Sequence, residues 1–525
     1  MKLNRPILIS AFHVLFLLAL VILSRNAAIG DWGNYYFGSS ALMHSWVESV
    51  HPKIYDPVFF NNYAAANGGN HLFLSYTQVP PLSQLIYLPF IFIKIQYAKL
   101  IFVVLTYCIC IFSLSGIFKK LQIDLRWSLL LPLLFLLPVK SNIDQGQSYF
   151  LLVALLAGGW LARENGKWII AAFLFALAIH LKIFPAIVLI WFLAEKDWKM
   201  FGATVCAVGI FFIASLLFFD FEIWSYYGSE VLPRLAKGEI TNTYATAYQS
   251  MQVFLKQLFV PDALHNPSAP FNSQFLFQYG NLLWLGIVLV AAFLFSLDKK
   301  QSSFLRFSVW IFAGMLISGY GSTYGLLFLI FPAVAIIHHQ TLSRNKKFAL
   351  LFLLAVIANF PVSWLLDISL PFSFLRLFLM IFFFAALIYM VRPKWNKFAL
   401  FALFIPLLSL LNTKKQEVES SYFLKKEPSL LITLFYEDVA ENKIQYYFWN
   451  EGGIQEGELN YPGQINYAEG VLDYGPHYIN CKGKEYNFPN ERIANPLLIN
   501  GKTLLYLSDK NRGVGFYTIR KMEIR

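Results

Sequence analysis

The chain is predicted to be a polytopic α-helical membrane protein of about 13 transmembrane helices, followed by a small C-terminal β-rich extracytoplasmic domain. The 525 residues are 57% hydrophobic and only 14% charged, with a mean hydropathy of +0.54, which excludes an ordinary soluble domain. Long apolar runs recur until about residue 411 and then stop. Basic residues collect in alternate connections between these runs, as they do in cytoplasmic loops.

The first apolar segment, about Pro6 to Leu23, is long enough to cross a bilayer. Lys2 and Arg5 precede it, so its start is expected in the cytoplasm. The segment lacks a small-residue cleavage site, which favours a retained helix over a removed signal peptide. Asp31 then follows on the outer face, at the membrane surface.

The remaining spans follow from the same pattern. The predicted spans are 6–24, 99–117, 127–139, 148–162, 167–181, 183–194, 201–219, 281–296, 307–318, 324–338, 348–365, 371–391 and 398–411. Residues 82–93 are apolar but short, which indicates an outer-face helix or a re-entrant piece.

Charge supports this topology. Each of the seven predicted inner segments carries at least two basic residues, so the net charge of +12 indicates topology and not nucleic-acid binding. These basic residues are Lys2, Arg5, Lys119, Lys120, Arg126, Arg163, Lys167, Lys196, Lys199, Lys299, Lys300, Arg306, Arg344, Lys346, Lys347, Arg392, Lys394 and Lys397. The same orientation predicts a multi-pass protein of the inner (cytoplasmic) membrane, in contact with its lipids.

The predicted membrane domain covers residues 1–411 and has two long outer loops, at 26–81 and 220–280. Both loops are rich in Trp and Tyr, which favours ordered structure such as amphipathic surface helices. Only Cys481 among the four cysteines is predicted outside, so no disulfide framework is expected. No His/Cys cluster has the spacing of metal ligands, and no cofactor is predicted.

Residues 412–525 are predicted to form a separate β-rich domain on the outer face. Short apolar and aromatic runs alternate there with turn signals. The stretches 430–436 and 445–448 resemble strands, and Asn500-Gly501 between apolar runs predicts a hairpin. No residue pattern in this part of the chain indicates a catalytic or binding site.

Asp31 is the first candidate for chemistry. A carboxylate at the outer surface can meet both a lipid-borne and a water-borne substrate and can act as a general base. The alternative is a helix cap or an interfacial acid. Gln147 belongs to a polar cluster, 142–149, at an outer turn, where such residues either cap helices or bind a substrate.

Lys182 lies at the next outer turn, shortly after His180. A Lys among apolar spans is costly and is often functional, and a cation here could hold a phosphate group. The alternative is that its side chain extends to the membrane surface. His180 is a weaker candidate for the same role.

The second long loop supplies further candidates. Tyr248 and Gln249 could bind a sugar through ring packing and amide hydrogen bonds, although aromatic residues also anchor loops at membrane interfaces. Arg234 and Lys237 could contact a phosphate.

Several short motifs are similar, in their order and placement over about residues 7–340, to family 87 of the GT-C glycosyltransferases, the group that depends on polyprenol-phosphate-mannose. The motifs are Asp31…Tyr35-Tyr36 with Ile54-Tyr55-Asp56, Tyr76 with Pro80-Pro81, Gly146-Gln147, Lys182…Pro185 and Gln249-Ser250.

The resemblance implies a GT-C-like, metal-independent, inverting glycosyltransferase. Asp31 would deprotonate an acceptor hydroxyl, and the donor would be a polyprenyl-phosphate sugar, with mannose the first candidate. The acceptor would be a glycolipid or a polysaccharide precursor on the outer leaflet. Tyr35, Tyr36, Gln147 and Lys182 would contact these substrates.

Two alternatives stay open at the level of sequence. A polysaccharide polymerase or ligase should carry Arg-rich outer loops late in the chain, and only Arg234 and Lys237 come near that pattern. A transporter of lipid-linked glycans should carry internal repeats and charges along a central pathway. No clear repeat is visible, and the charges collect at the predicted outer face.

Overall fold

The chain is mostly helical as far as Val391 and β-rich from Leu431 onward. The computed structural model describes residues 5–24, 27, 29–48, 54–55, 57–69, 74, 76, 79–236, 244–261, 266, 269–366, 368–391, 431–438, 443–450, 453–460, 473–475, 477–488, 491, 493–499, 501–508 and 518–524. The predicted combination of a helical membrane region with a small β region is therefore confirmed.

The helical region consists of helices of very different length. They are α1 (Arg5–Leu23), α2 (Trp32–Glu48), α3 (Pro57–Ala66), α4 (Ser83–Tyr87), α5 (Ile95–Lys120), α6 (Trp127–Leu134), α7 (Leu136–Gln145), α8 (Tyr149–Glu164), α9 (Trp168–Leu181), α10 (Ile187–Glu195), α11 (Trp198–Ser215), α12 (Phe221–Tyr226), α13 (Leu232–Ala236), α14 (Met251–Phe259), α15 (Gln274–Leu297), α16 (Ser303–Ile317), α17 (Ile330–His338), α18 (Arg344–Asn359) and α19 (Leu375–Val391). Short 3₁₀ turns are Leu88–Phe90, Phe184–Ala186, Tyr324–Leu329, Val362–Leu365 and Phe372–Phe374, and Tyr227–Val231 is a π-helical turn.

Length and composition separate the apolar helices into two groups. In the described part of the chain, four are long and apolar enough to cross a membrane: Ile95–Lys120, Trp198–Ser215, Gln274–Leu297 and Phe372–Tyr389. The shorter apolar helices are Leu8–Leu23, Trp168–Leu181, Phe184–Glu195, Ser303–Ile317 and Tyr324–His338. The count of about 13 spans stays a prediction, and the span expected at 398–411 lies outside the described residues.

Small residues bring neighbouring helices of the bundle together. A Cβ atom on Gly159 of α8 would lie 2.8 Å from the Phe175 ring of α9, and one on Gly116 of α5 would lie 2.8 Å from Leu161. Close approach at small residues is the usual basis of helix packing in membranes, because lipid removes the hydrophobic drive between helices. The central helix α8 is therefore held between α5 and α9.

The span predicted at 127–139 is two helices, α6 and α7, separated at Phe135. The broken backbone is satisfied by Asn359, whose Oδ1 accepts from Leu137 N at 2.9 Å and whose Nδ2 donates to Leu134 O at 2.8 Å. Irregular backbone inside a membrane protein needs such internal partners. Helix α7 also continues to Gln145, so the turn expected at 142–149 is confined to 146–148.

Four of the predicted inner connections meet at one end of the bundle, called the basic end from here on. Arg163 pairs with Asp197 at 2.8 Å, and Arg306 pairs with Glu195 at 2.6 Å. Lys120 on a further connection donates to Asn165 Oδ1 at 2.8 Å. Four of the seven inner connections deduced from charge therefore lie together, and the full alternation of connections stays a prediction.

The opposite ends of α8 and α9 define the site end of the bundle. Helix α8 runs from Tyr149 to Glu164 and reaches the basic end at its C-terminus, whereas α9 runs back from Trp168 to Leu181. Residues that precede α8 or follow α9 therefore lie together, about 20–24 Å from the basic end at 1.5 Å per residue.

Ordered helices fill both long loops over their described residues. The first loop contains α2 and α3, with α4 directly after it, and the second contains α12, α13 and α14. The loops also touch each other, because the Tyr55 ring lies 5.4 Å from the Tyr227 ring. The prediction that these aromatic-rich loops are ordered is confirmed there.

The described residues of the β region form three antiparallel sheets, each of three strands in sequence order. The strands are β1 (Leu431–Asp438), β2 (Lys443–Asn450), β3 (Gly453–Asn460), β4 (Asp473–Gly475), β5 (Tyr478–Cys481), β6 (Lys484–Asn487), β7 (Ile493–Ile499), β8 (Thr503–Ser508) and β9 (Thr518–Glu523). Ile499 pairs with Thr503, which confirms the hairpin predicted at Asn500-Gly501. His477 contacts Glu230 of the second long loop at 3.0 Å.

Candidate active site

Two glycine turns bring Asp31 to the site end. Gly30 has φ +62° and its Cα packs against the Gln145 side chain, while Gly146 has φ +63° and packs against Trp32. A Cβ atom on Gly146 would lie 2.6 Å from the Cβ of Trp32. Glycine meets both demands, since positive φ and close approach each exclude a side chain. The start of α2 is thereby held against the α7–α8 turn.

Gln147 joins the polar side chains of the site. Its Nε2 donates to Asp31 Oδ2, and its Oε1 accepts from Tyr35 Oη at 2.7 Å and from Lys182 Nζ at 3.2 Å. This amide orientation gives every polar atom a compatible partner. The structure thus brings together four residues predicted from the sequence, one from α2, one before it, one before α8 and one after α9.

Two aromatic rings lie beside the ammonium group of Lys182. Its Nζ lies 4.7 Å from the centre of the Tyr149 ring and 5.8 Å from that of Tyr324, and these two rings lie 5.1 Å apart. A cation over aromatic faces keeps some electrostatic stabilisation without a counter-ion. On the other side of Gln147, Tyr35 stacks on Tyr87 at 4.4 Å.

Opposing effects act on the ionisation of Asp31. Burial raises the pKa of its carboxyl, while the Gln147 hydrogen bond, the Lys182 charge and the Tyr324 hydroxyl oppose that rise. Burial also lowers the pKa of Lys182 to about 8, against the charge of Asp31. Asp31 as a residue keeps partial solvent exposure, while burial dominates the surroundings of its carboxyl group. Such a pair is a common feature of catalytic sites.

The Tyr248-Gln249 segment borders this cluster. Tyr248 packs on Tyr320 at 5.5 Å and lies close enough to Tyr149 and Tyr324 to interact electrostatically. Gln249 is buried, and its Nε2 donates to Ser373 O at 2.9 Å. The aromatic wall of the site therefore continues into the second long loop.

Three other candidates from the sequence lie in different surroundings. Tyr36 Oη donates to the carbonyls of Ile91 and Ile93, both at 3.1 Å. His180 Nε2 contacts Val208 O at 3.0 Å, on the α11 side of its helix. Arg234 is buried in α13. Their substrate roles stay predictions, and Lys237 lies outside the described residues.

Sequence reasoning gave no role to Tyr324 or Arg376, and it named Tyr149 only as the last residue of the polar cluster 142–149. The structure places all three in or beside the site. The aromatic residues lacked a signal because aromatics are common throughout this chain. Arg376 did carry a signal in the sequence, since a basic residue inside the predicted span 371–391 is rare without a function. Its side chain is fully buried.

The described residues include no group of three or more His, Cys, Asp or Glu side chains that could hold a metal ion. That the reaction needs no metal stays a prediction. The groups that the site does present are a carboxylate, an ammonium, an amide and several phenol rings. Together they can accept a proton, bind an anion and pack against a sugar ring.

Comparison with known proteins finds a family model that matches part of the chain. The model of glycosyltransferase family 87 matches residues 76–319, a segment that contains Gln147, Lys182 and Gln249. No curated protein matches the chain. The resemblance expected from the motifs is confirmed over the matched segment, residues 76–319, which is similar to glycosyltransferase family 87.

Proposed function

We propose that the protein transfers a sugar from a polyprenyl-phosphate donor to a hydroxyl of a glycolipid or polysaccharide precursor. One observation carries the proposal: Asp31 and Lys182 both bond to Gln147, at the site end of the bundle. A base and an anion-binding group are thus held side by side. Transfer from a sugar phosphate needs both, one for the entering hydroxyl and one for the leaving phosphate.

The proposed reaction is a single displacement at the anomeric carbon. The acceptor oxygen forms a bond to this carbon from the face opposite the phosphate, and the bond between the carbon and the phosphate oxygen breaks. Asp31 takes the proton of the acceptor hydroxyl, and polyprenyl phosphate leaves with the electron pair of the broken bond. The configuration at the sugar is therefore inverted.

Lys182 stabilises the negative charge that grows on the departing phosphate. Its ammonium bonds to a neutral amide oxygen and lies over two rings, so part of its charge is available to a ligand. Tyr149 and Tyr324 offer faces on which a sugar ring can pack. Tyr248 and Gln249 are proposed to extend this surface towards the substrate, and mannose is the first donor sugar to test.

The proposed location is the cytoplasmic membrane, with the site and the β region on the extracytoplasmic side. The basic end supports this orientation, because cytoplasmic loops carry the excess of Lys and Arg. The donor lipid would then reach the site from the outer leaflet. The partners are membrane lipids, the lipid-linked donor and the glycan acceptor, and no nucleic acid is involved.

The test uses the full-length protein reconstituted in lipid bilayers. Polyprenyl phosphates that carry mannose, glucose or arabinose are supplied with a lipid and glycan extract of the host envelope as acceptor. We expect one donor to release free polyprenyl phosphate and to yield a product of inverted configuration. Donor binding without any transfer, across all three donors and with acceptor present, would contradict the proposal.

A further inference from the structure

The chain between α16 and the 3₁₀ turn Tyr324–Leu329 has no regular secondary structure, and its residues 318–323 are partly buried. Its carbonyl groups cannot be satisfied by a helix of their own, and each unsatisfied one would be costly in such surroundings. Side chains from elsewhere take their place. Ser250 Oγ, for example, donates to Gly319 O at 2.8 Å.

Arg376 is the second support of this segment. From the first turns of α19 its Nη2 donates to Gly321 O at 3.2 Å, and its Nη1 donates to Thr323 Oγ1 at 3.0 Å. The side chain is fully buried, so it cannot touch a substrate in this arrangement. A guanidinium suits the task because its planar fork reaches two acceptors at once.

Thr323 directly precedes Tyr324, which faces the catalytic groups. The carbonyl of Tyr324 accepts from Asn142 Nδ2 at 3.1 Å, its ring lies 5.8 Å from Lys182 Nζ, and its hydroxyl interacts with Asp31. The position of this tyrosine is therefore set from both sides, by Asn142 at its own carbonyl and by Arg376 one residue earlier.

We propose that Arg376 is a positioning residue, which fixes the 318–323 segment so that Tyr324 faces Asp31 and Lys182. The inference rests on the proposed function of the Asp31 site. It extends the site to α19, which lies beyond the segment matched by the family model. Arg376 acts through Tyr324, while Asp31 and Lys182 act on the substrates.

The test is the pH profile of kcat for Arg376→Lys. If Tyr324 moves away, Asp31 loses a hydrogen bond that favours its charged form, so its pKa rises. The acidic limb should then move to higher pH. A purely structural role would lower the amount of active enzyme equally at every pH and leave the limb in place.

Tyr324→Phe is the matched control. It removes the hydroxyl directly and should move the acidic limb by the same amount, and Arg376→Lys added to it should give no further shift. An additional shift of equal size would show that Arg376 acts by another route and would overturn the proposal. If Arg376→Lys fails to fold, Thr323→Val replaces it, because this change removes only the hydroxyl that accepts from Arg376.

The outcomes separate the two proposals. If Asp31→Asn keeps wild-type turnover, the proposed function fails and the inference about Arg376 falls with it. If Asp31→Asn is inactive but the acidic limb of a folded Arg376→Lys or Thr323→Val protein coincides with that of wild type, only the role of Arg376 is overturned.

Discussion

The two ends of the helical bundle use charge in opposite ways. At the basic end, cations bond directly to carboxylates: Arg163 to Asp197 at 2.8 Å, and Arg306 to Glu195 at 2.6 Å. These pairs neutralise charge and join the ends of different helices. The Arg163–Asp197 pair is partly exposed, so it is expected to contribute no more than about 1 kcal/mol to stability, whereas Arg306 and Glu195 are largely buried.

At the site end, the neutral amide of Gln147 stands between the carboxylate of Asp31 and the ammonium of Lys182. A direct ion pair there would bind each group to the other and leave neither for a substrate. Burial disfavours both charges, which is costly for folding. Charges arranged for stability thus differ from charges arranged for chemistry by what stands next to them.

Removing one cation from each end tests whether the two ends differ in function. Lys182→Ala should lose a charge-assisted contact to the donor phosphate, worth about 1.5–3 kcal/mol, or roughly ten- to hundred-fold in kcat/KM for the donor. Lys299→Ala at the basic end should leave donor kinetics within a few-fold of wild type, because Lys299 pairs with Glu195 on an exposed surface. Equal losses in the two variants would mean that the site end has no special role.

Glycine turns at the two ends of the bundle offer a second pair of matched variants. Gly146→Ala and Gly166→Ala both place a side chain at positive φ, +63° and +74°, a cost of about 1–3 kcal/mol each. Only the first also forces a contact with Trp32, whereas the space around Gly166 is open. Thermal unfolding in lipid nanodiscs should therefore show the larger loss for Gly146→Ala. A larger loss for Gly166→Ala would contradict the close packing of the α2 start.

The pH dependence of kcat/KM should report the ionisation of Asp31 and of Lys182 separately. Asp31 must be deprotonated to act, and its raised pKa places the acidic limb above the usual range of aspartate. Lys182 must be protonated to hold phosphate, so activity should fall as pH rises through about 8. Lys182→Arg keeps its charge at alkaline pH and should lose this upper limb. An unchanged alkaline limb in that variant would assign the limb to another group.

The smallest effect is expected from the β region. No candidate catalytic residue lies in it, so a chain truncated near residue 415 should keep the chemical step with a short soluble acceptor. His477→Gln provides a milder probe, since it alters the contact with Glu230 without removing the region. Complete loss of turnover in a well-folded truncation would show that the β region takes part in catalysis.

Sequence alone predicted the class of the fold because apolar runs and basic connections are properties of single segments. It could not predict the break at Phe135, since the group that satisfies this break, Asn359, lies more than 200 positions away. The candidates Asp31, Gln147 and Lys182 were found for a similar reason, as polar residues next to apolar runs.

Other parts of the site depend on contacts that no local pattern reports. Tyr149 and Tyr324 gained a specific role only when their rings were seen next to each other beside Lys182. His180 follows the same sequence logic as Lys182 but faces α11, because neighbouring residues on a helix point in different directions. Tyr36 likewise turns to the carbonyls of Ile91 and Ile93.

The most direct measurement compares kcat of Asp31→Asn with that of Asp197→Asn, using the donor and acceptor that support transfer in the reconstituted assay. Both changes replace a carboxylate with an amide of equal size, one at each end of the bundle. Asp197→Asn should stay within a few-fold of wild type, because an Asn can still cap α11. Asp31→Asn should lose about 10²–10⁴-fold, the usual cost of removing a positioned general base. Turnover of Asp31→Asn within a few-fold of wild type would contradict the role of Asp31 as the base.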